Sequence, residues 1–103
     1  MLVEIRIREK LIEAFQPLHI EVINESSNHH VPQGSETHFL IVVVSDSFEG
    51  ESRIERQRRV HLVLGDELRN GVHALSQRLM TVQEWEASGK AYHKSPACSS
   101  RKN

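Results

Sequence analysis

An α+β fold is predicted for this chain, with a three-stranded mixed sheet and helices on one face in the order α-β-β-α-β-α. Three features predict it. Apolar residues recur at steps of three and four over residues 3–15, which marks an amphipathic helix. Residues 37–45, THFLIVVVS, are apolar on both parities and rich in β-branched side chains, as in a strand buried on both sides. A helical spacing over residues 52–69 then separates that run from another β-type stretch that begins Val72-His73-Ala74-Leu75.

Taken in order, Val3, Ile7, Leu11, Ala14 and Phe15 line one face of the first helix, and Pro17 stops it. Residues 18–24 alternate Leu18, Ile20 and Val22 with His19 and Glu21, the period of a strand with one buried face. Residues 25–36, ESSNHHVPQGSE, are dense in Ser, Asn, Pro and Gly and are too long for a tight hairpin turn. A connection of that length in so small a domain points to function. The apolar run at 37–45 is placed at the middle of the sheet. After a turn at 46–51, Ile54, Val60, Leu64 and Leu68 share one side of a helix over 52–69. Asn70-Gly71 supplies the left-handed turn that ends it. The strand that follows opens with Val72 and His73 and runs into Thr81-Val82-Gln83-Glu84, a capping box that starts a last short helix and carries Trp85 toward the core. The first two strands pair antiparallel, and the helix between the second and third permits a right-handed parallel crossover.

At 103 residues the chain is read as one domain over residues 1–89 with a flexible, basic tail at 90–103. Thirteen basic and fourteen acidic side chains give a formal charge of −1, so no global field draws the molecule onto nucleic acid, and any such contact is local. The single cysteine, Cys98, cannot form an internal disulfide, and no long apolar run suggests secretion or membrane insertion. A cytoplasmic protein is expected.

Two groups of residues stand out. His73 heads a strand, where the sheet ladder fixes the direction of its ring, and the residue type alone leaves a structural role open beside metal ligation. Arg53, Arg56, Arg58 and Arg59 crowd the start of the second helix, where the helix dipole disfavours cations. Either a solvated face or a phosphate-binding surface accounts for them. Cys98 lies in the tail with no rigid frame to aim it, so an enzyme is not expected.

The segments Asn24-Glu25-Ser26, His29 with Val31-Pro32, Gly34-Ser35-Glu36-Thr37-His38-Phe39, Phe48-Glu49-Gly50, Arg56-Gln57-Arg58, Val72-His73-Ala74-Leu75 and Ser95-Pro96-Ala97-Cys98 follow a recognisable order and spacing. Over nearly its whole length the chain resembles the BolA family. The resemblance implies a fold similar to class II KH domains and a non-enzymatic partner of monothiol glutaredoxins that shares a 2Fe-2S cluster. In such a complex the glutaredoxin brings a cysteine and glutathione brings a second thiolate. The BolA protein brings two ligands, here His73 and a histidine of the loop between the first two strands. Register points to His29, with the adjacent His30 as the alternative, and His38 is read as structural or a minor ligand candidate. Some bacterial members are implied to be DNA-binding transcriptional regulators of stress response, cell shape and division, acting through the second helix and following strand. In that reading Arg53, Arg56, Arg58 and Arg59 contact phosphates, though the chain has no GxxG loop of the kind KH domains use to clamp a nucleotide backbone. The family often carries Arg-His-Arg where this chain has Arg56-Gln57-Arg58, so one helix histidine is missing. The oligomeric state of the free protein is open, a homodimer included.

Overall fold

The structure, a computed structural model, describes residues 2–28, 32 and 34–89. Its organising element is the seven-residue strand β2 (His38–Val44). From Phe39 to Val44 every residue is buried, none more than 1% exposed. A strand without access to water on either face needs partners on both edges, because each unpaired backbone group costs about 1–3 kcal/mol. β1 (His19–Asn24) supplies one edge in antiparallel register, with His19 opposite Val44 and Asn24 opposite Phe39. β3 (Ala74–Met80) supplies the other in parallel register, with His38 opposite Ala74 and Val44 opposite Met80. The sheet order is β1-β2-β3, so the expected central strand is central.

Side chains alternate across the pleat, so Phe39, Ile41 and Val43 face one way and Leu40, Val42 and Val44 the other. The first set meets Ile7, Leu11 and Phe15 of α1 (Leu2–Phe15), Val60 of α2 (Arg53–Val63), and Phe48, Leu64 and Val72 in one cluster. Leu68 of α3 (Gly65–Arg69) packs against its edge. Phe15 and Phe48 meet with ring centroids 5.0 Å apart, and the guanidinium of Arg59 lies 4.9 Å from the Phe15 ring centre.

The element order agrees with the sequence reading, and the departures have local causes. The single helix expected over 52–69 is broken: Leu64 takes φ −101°, ψ 20°, closing α2 and opening α3 just before Gly65, a poor helix former. Ile54, expected on the core side, is 57% exposed, and the core-facing side of the first half of α2 is taken by Arg56 instead. Leu18 is likewise exposed, since it precedes β1 instead of alternating within it, and Ala14 lies on the outer side of α1. His73 precedes β3 instead of opening it, although its amide already donates to Thr37 O beside the head of β2.

The final helix, α4 (Val82–Ala87), starts at the expected capping box. Thr81 Oγ1 accepts from Glu84 N, and Glu84 Oε1 accepts from Thr81 N. Trp85 does not join the core cluster. It stacks on His19 at 4.7 Å, and the register puts His19 on the Val44 side of the sheet. α1, α2 and α3 thus cover one face as expected, while the aromatic ring of α4 reaches the opposite face. Among the described residues no helix is long and apolar enough to cross a membrane.

Truncating Ile41 to Ala is expected to lower unfolding stability by about 2–5 kcal/mol in a urea titration. Leu62→Ser, at an 83% exposed position on α2, is expected to stay within about 0.5 kcal/mol of the parent.

Candidate functional site

The connection between β1 and β2 is anchored at its base by short polar residues. Asn24 Oδ1 accepts from Ser26 N at 2.9 Å, a local turn that releases the chain from β1, and Asn24 Nδ2 donates to Ser35 O on the returning leg at 3.0 Å. Ser26, itself buried, accepts at Oγ from Thr37 N at 2.9 Å and from His38 N at 3.1 Å. Glu25 N donates to His38 O at 2.7 Å. Both legs are therefore tied to the head of β2.

Thr37 also joins the third strand to this base. Its carbonyl accepts from His73 N at 2.8 Å and from Ala74 N at 3.2 Å. His73 is exposed, and among the described residues its ring makes no hydrogen bond or ion pair. His38 is half-buried, with Nδ1 2.8 Å from Thr37 Oγ1, and it pairs with Ala74 across the sheet. One residue thus connects the loop, the candidate ligand His73 and His38 at a single end of the sheet. His29 and His30 lie outside the described residues, as do the proposed tail at 90–103 and Cys98. Among the described residues no group of three or more His, Cys, Asp or Glu side chains is disposed to hold a metal ion.

The four arginines of α2 divide into two pairs. Arg56 is 8% exposed, and four of its five N–H donors are already taken by the protein. It donates through Nη1 and Nη2 to the two carboxylate oxygens of Glu84 at 2.7 and 3.0 Å, through Nη1 to Leu79 O, and through Nε to Glu51 O. The Glu84 hydrogen bond holds the Arg56 proton more tightly than usual, against the opposing effect of burial. The Arg56 hydrogen bond in turn holds the Glu84 carboxyl below its ordinary range, again against burial, with the Thr81 amide assisting. Arg59 donates to Ser47 O and Glu51 Oε1 and lies over the Phe15 and Phe48 rings. Arg53 and Arg58 are exposed and make no hydrogen bond or ion pair among the described residues. The phosphate-binding set expected from sequence is therefore not one surface: Arg56 and Arg59 bind the protein to itself, and Arg53 and Arg58 face solvent.

Sequence reading missed the anchors. Asn24-x-Ser26 carries the short-polar pattern of a side-chain-closed turn, and Ser52-x-x-Glu55 has the same form as the capping box recognised at Thr81; both its hydrogen bonds are present. The Arg56–Glu84 pair has no local signal, because its partners are far apart in the chain.

The geometry defines a small α+β protein with a three-stranded mixed sheet that presents the imidazoles of His38 and His73 at one end. The family model for BolA-like protein matches residues 11–84, and the chain belongs to the BolA family. It is 46% identical over 98 residues to the DNA-binding transcriptional regulator BolA of Escherichia coli K12, covering 95% of this chain and 93% of that one. It is 47% identical to human BolA-like protein 1, covering 93% of this chain and 69% of the relative. Among solved structures, mouse BolA1 in solution superposes with a TM-score of 0.80 at 43% identity, covering 94% of this chain and 79% of that one.

Because the folded-state acidity of Glu84 is raised, its carboxylate contributes stability above the ordinary glutamate range of about pH 4–5, and that contribution is lost as pH falls through the lower folded value. Glu84→Gln is expected to flatten the acid side of the stability profile measured by urea unfolding between about pH 3 and 6. Arg56→Ala is expected to cost about 1–3 kcal/mol at neutral pH in the same assay.

Proposed function

We propose that this protein is a non-enzymatic adaptor that pairs with a monothiol glutaredoxin and shares a 2Fe-2S cluster with it and with glutathione. The chain would contribute His73 and one histidine of the loop, His29 by register or His30 beside it, with His38 as the lesser candidate. The observation that carries the reading is the Thr37 junction, which ties both loop legs and the backbone of His73 to one point.

The donor set suits the group. His73 combines an exposed ring with a backbone held by Thr37, so the point from which the ring reaches out is set before a partner arrives. Two imidazoles from this chain leave the remaining ligand positions to the partner. When bound, such a cluster supplies an iron site in which imidazole replaces thiolate, which raises its potential and makes ligation sensitive to protonation. Thr37 restrains His73, Ser26 closes the loop base, and the exposed position of His73 admits the partner's ligands. Mixing the protein with a monothiol glutaredoxin, iron, sulfide and glutathione is expected to give a mixed-ligand cluster spectrum. That spectrum is expected to be lost in His73→Ala and weakened in His29→Ala; an unchanged spectrum in both variants excludes these ligands.

A second reading is a DNA-binding regulator of stress response and cell shape. It is favoured by the name of the Escherichia coli relative and by the uncommitted guanidiniums of Arg53 and Arg58. Two phosphate contacts give weak, salt-sensitive attachment with little sequence information. In a mobility-shift series, Arg53→Ala with Arg58→Ala is expected to reduce the slope of log affinity against log salt by about two. An unchanged slope would move the contact elsewhere.

A further inference from the structure

β3 stands at the edge of the sheet, and half of its backbone groups have no strand to pair with. On its inner side Ala74 N donates to Thr37 O and Met80 O accepts from Ser45 N. In a parallel ladder alternate residues bond to the same side, so Leu75, Gln77 and Leu79 direct their N–H and C=O groups to the open edge. Two of those carbonyls are met by side chains alone: Arg78 Nη1 donates to Gln77 O at 3.1 Å and Arg56 Nη1 to Leu79 O at 3.0 Å.

This open edge forms one wall of a groove of about 890 Å3 whose other side is the first half of α2. Its charges are not balanced. Glu84 is engaged by Arg56 and Glu51 by Arg59, whereas Arg53 and Arg78 line the groove with no carboxylate partner among the described residues. Gln77 adds an unmet acceptor: its Nε2 lies 3.2 Å from His61 Nε2, while its Oε1 is buried and no donor reaches it among the described residues.

We propose that the groove takes an extended acidic peptide segment of another protein, which pairs as a fourth strand with β3 over residues 75–79. Its carboxylates meet Arg53 and Arg78. Arg78 leaves its own chain's carbonyl for a carboxylate, which frees Gln77 O for a peptide N–H. The Arg56–Glu84 bridge closes the groove at Leu79 and limits the register. A second copy of this chain would set the same two unbalanced arginines against their own images, which disfavours self-pairing. Nucleic acid lacks the regular N–H and C=O alternation that the edge presents. The part of β3 that lines the groove, residues 77–80, starts four residues beyond His73, and the peptide titration needs no iron or glutaredoxin, so its failure and that of cluster sharing are distinguishable.

The probe is a fluorescein-labelled peptide of alternating Val and Glu, titrated into the full chain and read by anisotropy and by amide chemical shifts. Saturable binding is expected, with shifts concentrated at Leu75, Gln77 and Leu79. Binding is expected to weaken about tenfold in the Arg53→Glu, Arg78→Glu double variant. It is expected to vanish when alternate peptide amides are N-methylated, a change that leaves the protein untouched. Equal binding of the N-methylated peptide, equal binding of a Val-Lys peptide, or shifts along β1 would overturn the proposal. So would Gln77 shifts that grow with protein concentration alone, which assign the edge to a second copy. Displacement of the peptide by a tighter-binding single-stranded oligonucleotide would assign the groove to nucleic acid and overturn it equally.

Discussion

The loss of water from both faces of β2 is the constraint on which the other elements depend. Its residues Phe39 to Val44 are sealed, so their backbone groups require β1 on one edge and β3 on the other. An antiparallel neighbour can be reached through a loop. A parallel neighbour demands a return across the sheet, which α2 and α3 make while presenting Val60, Leu64 and Leu68 to the inner face. The helices therefore serve two ends at once, as crossover and as cover.

The same strand positions the candidate site. Thr37 is the last residue before β2 and is only half-buried, so its amide and carbonyl are available to other segments. Its amide is taken by Ser26, its carbonyl by His73 and Ala74. A loop that begins and ends at a sheet is ordinarily free to lie anywhere over it. Here the side chains of Asn24 and Ser26 close the loop at its base, so the rigid strand fixes where both of its legs start.

Like charges that share a helix acquire different roles from what packs beside them. Arg56 meets a carboxylate from α4, two backbone carbonyls and the Phe48 ring, so a guanidinium that would be costly to bury has four of its five donors bonded instead. Arg59 lies across the Phe15 and Phe48 rings and reaches Glu51. Arg53 and Arg58 are exposed and meet no carboxylate among the described residues. The dipole cost of cations in the first turns is offset by the Ser52–Glu55 capping box and by these ion pairs.

The sequence by itself determined the order of elements, the central place of the apolar run, the Thr81 capping box and the family, because each is written in periods of two or 3.6 residues or in motifs a few residues long. It also singled out His73 and a loop rich in histidine as candidates for a site. Only the tertiary structure decided that Thr37 joins them, that Trp85 stacks on His19 instead of entering the core, and that Arg56 and Arg59 are internal. Those outcomes depend on pairs such as Arg56 with Glu84 or His19 with Trp85, which lie far apart along the chain. No local pattern encodes a contact that exists only after the sheet has formed and brought its ends together.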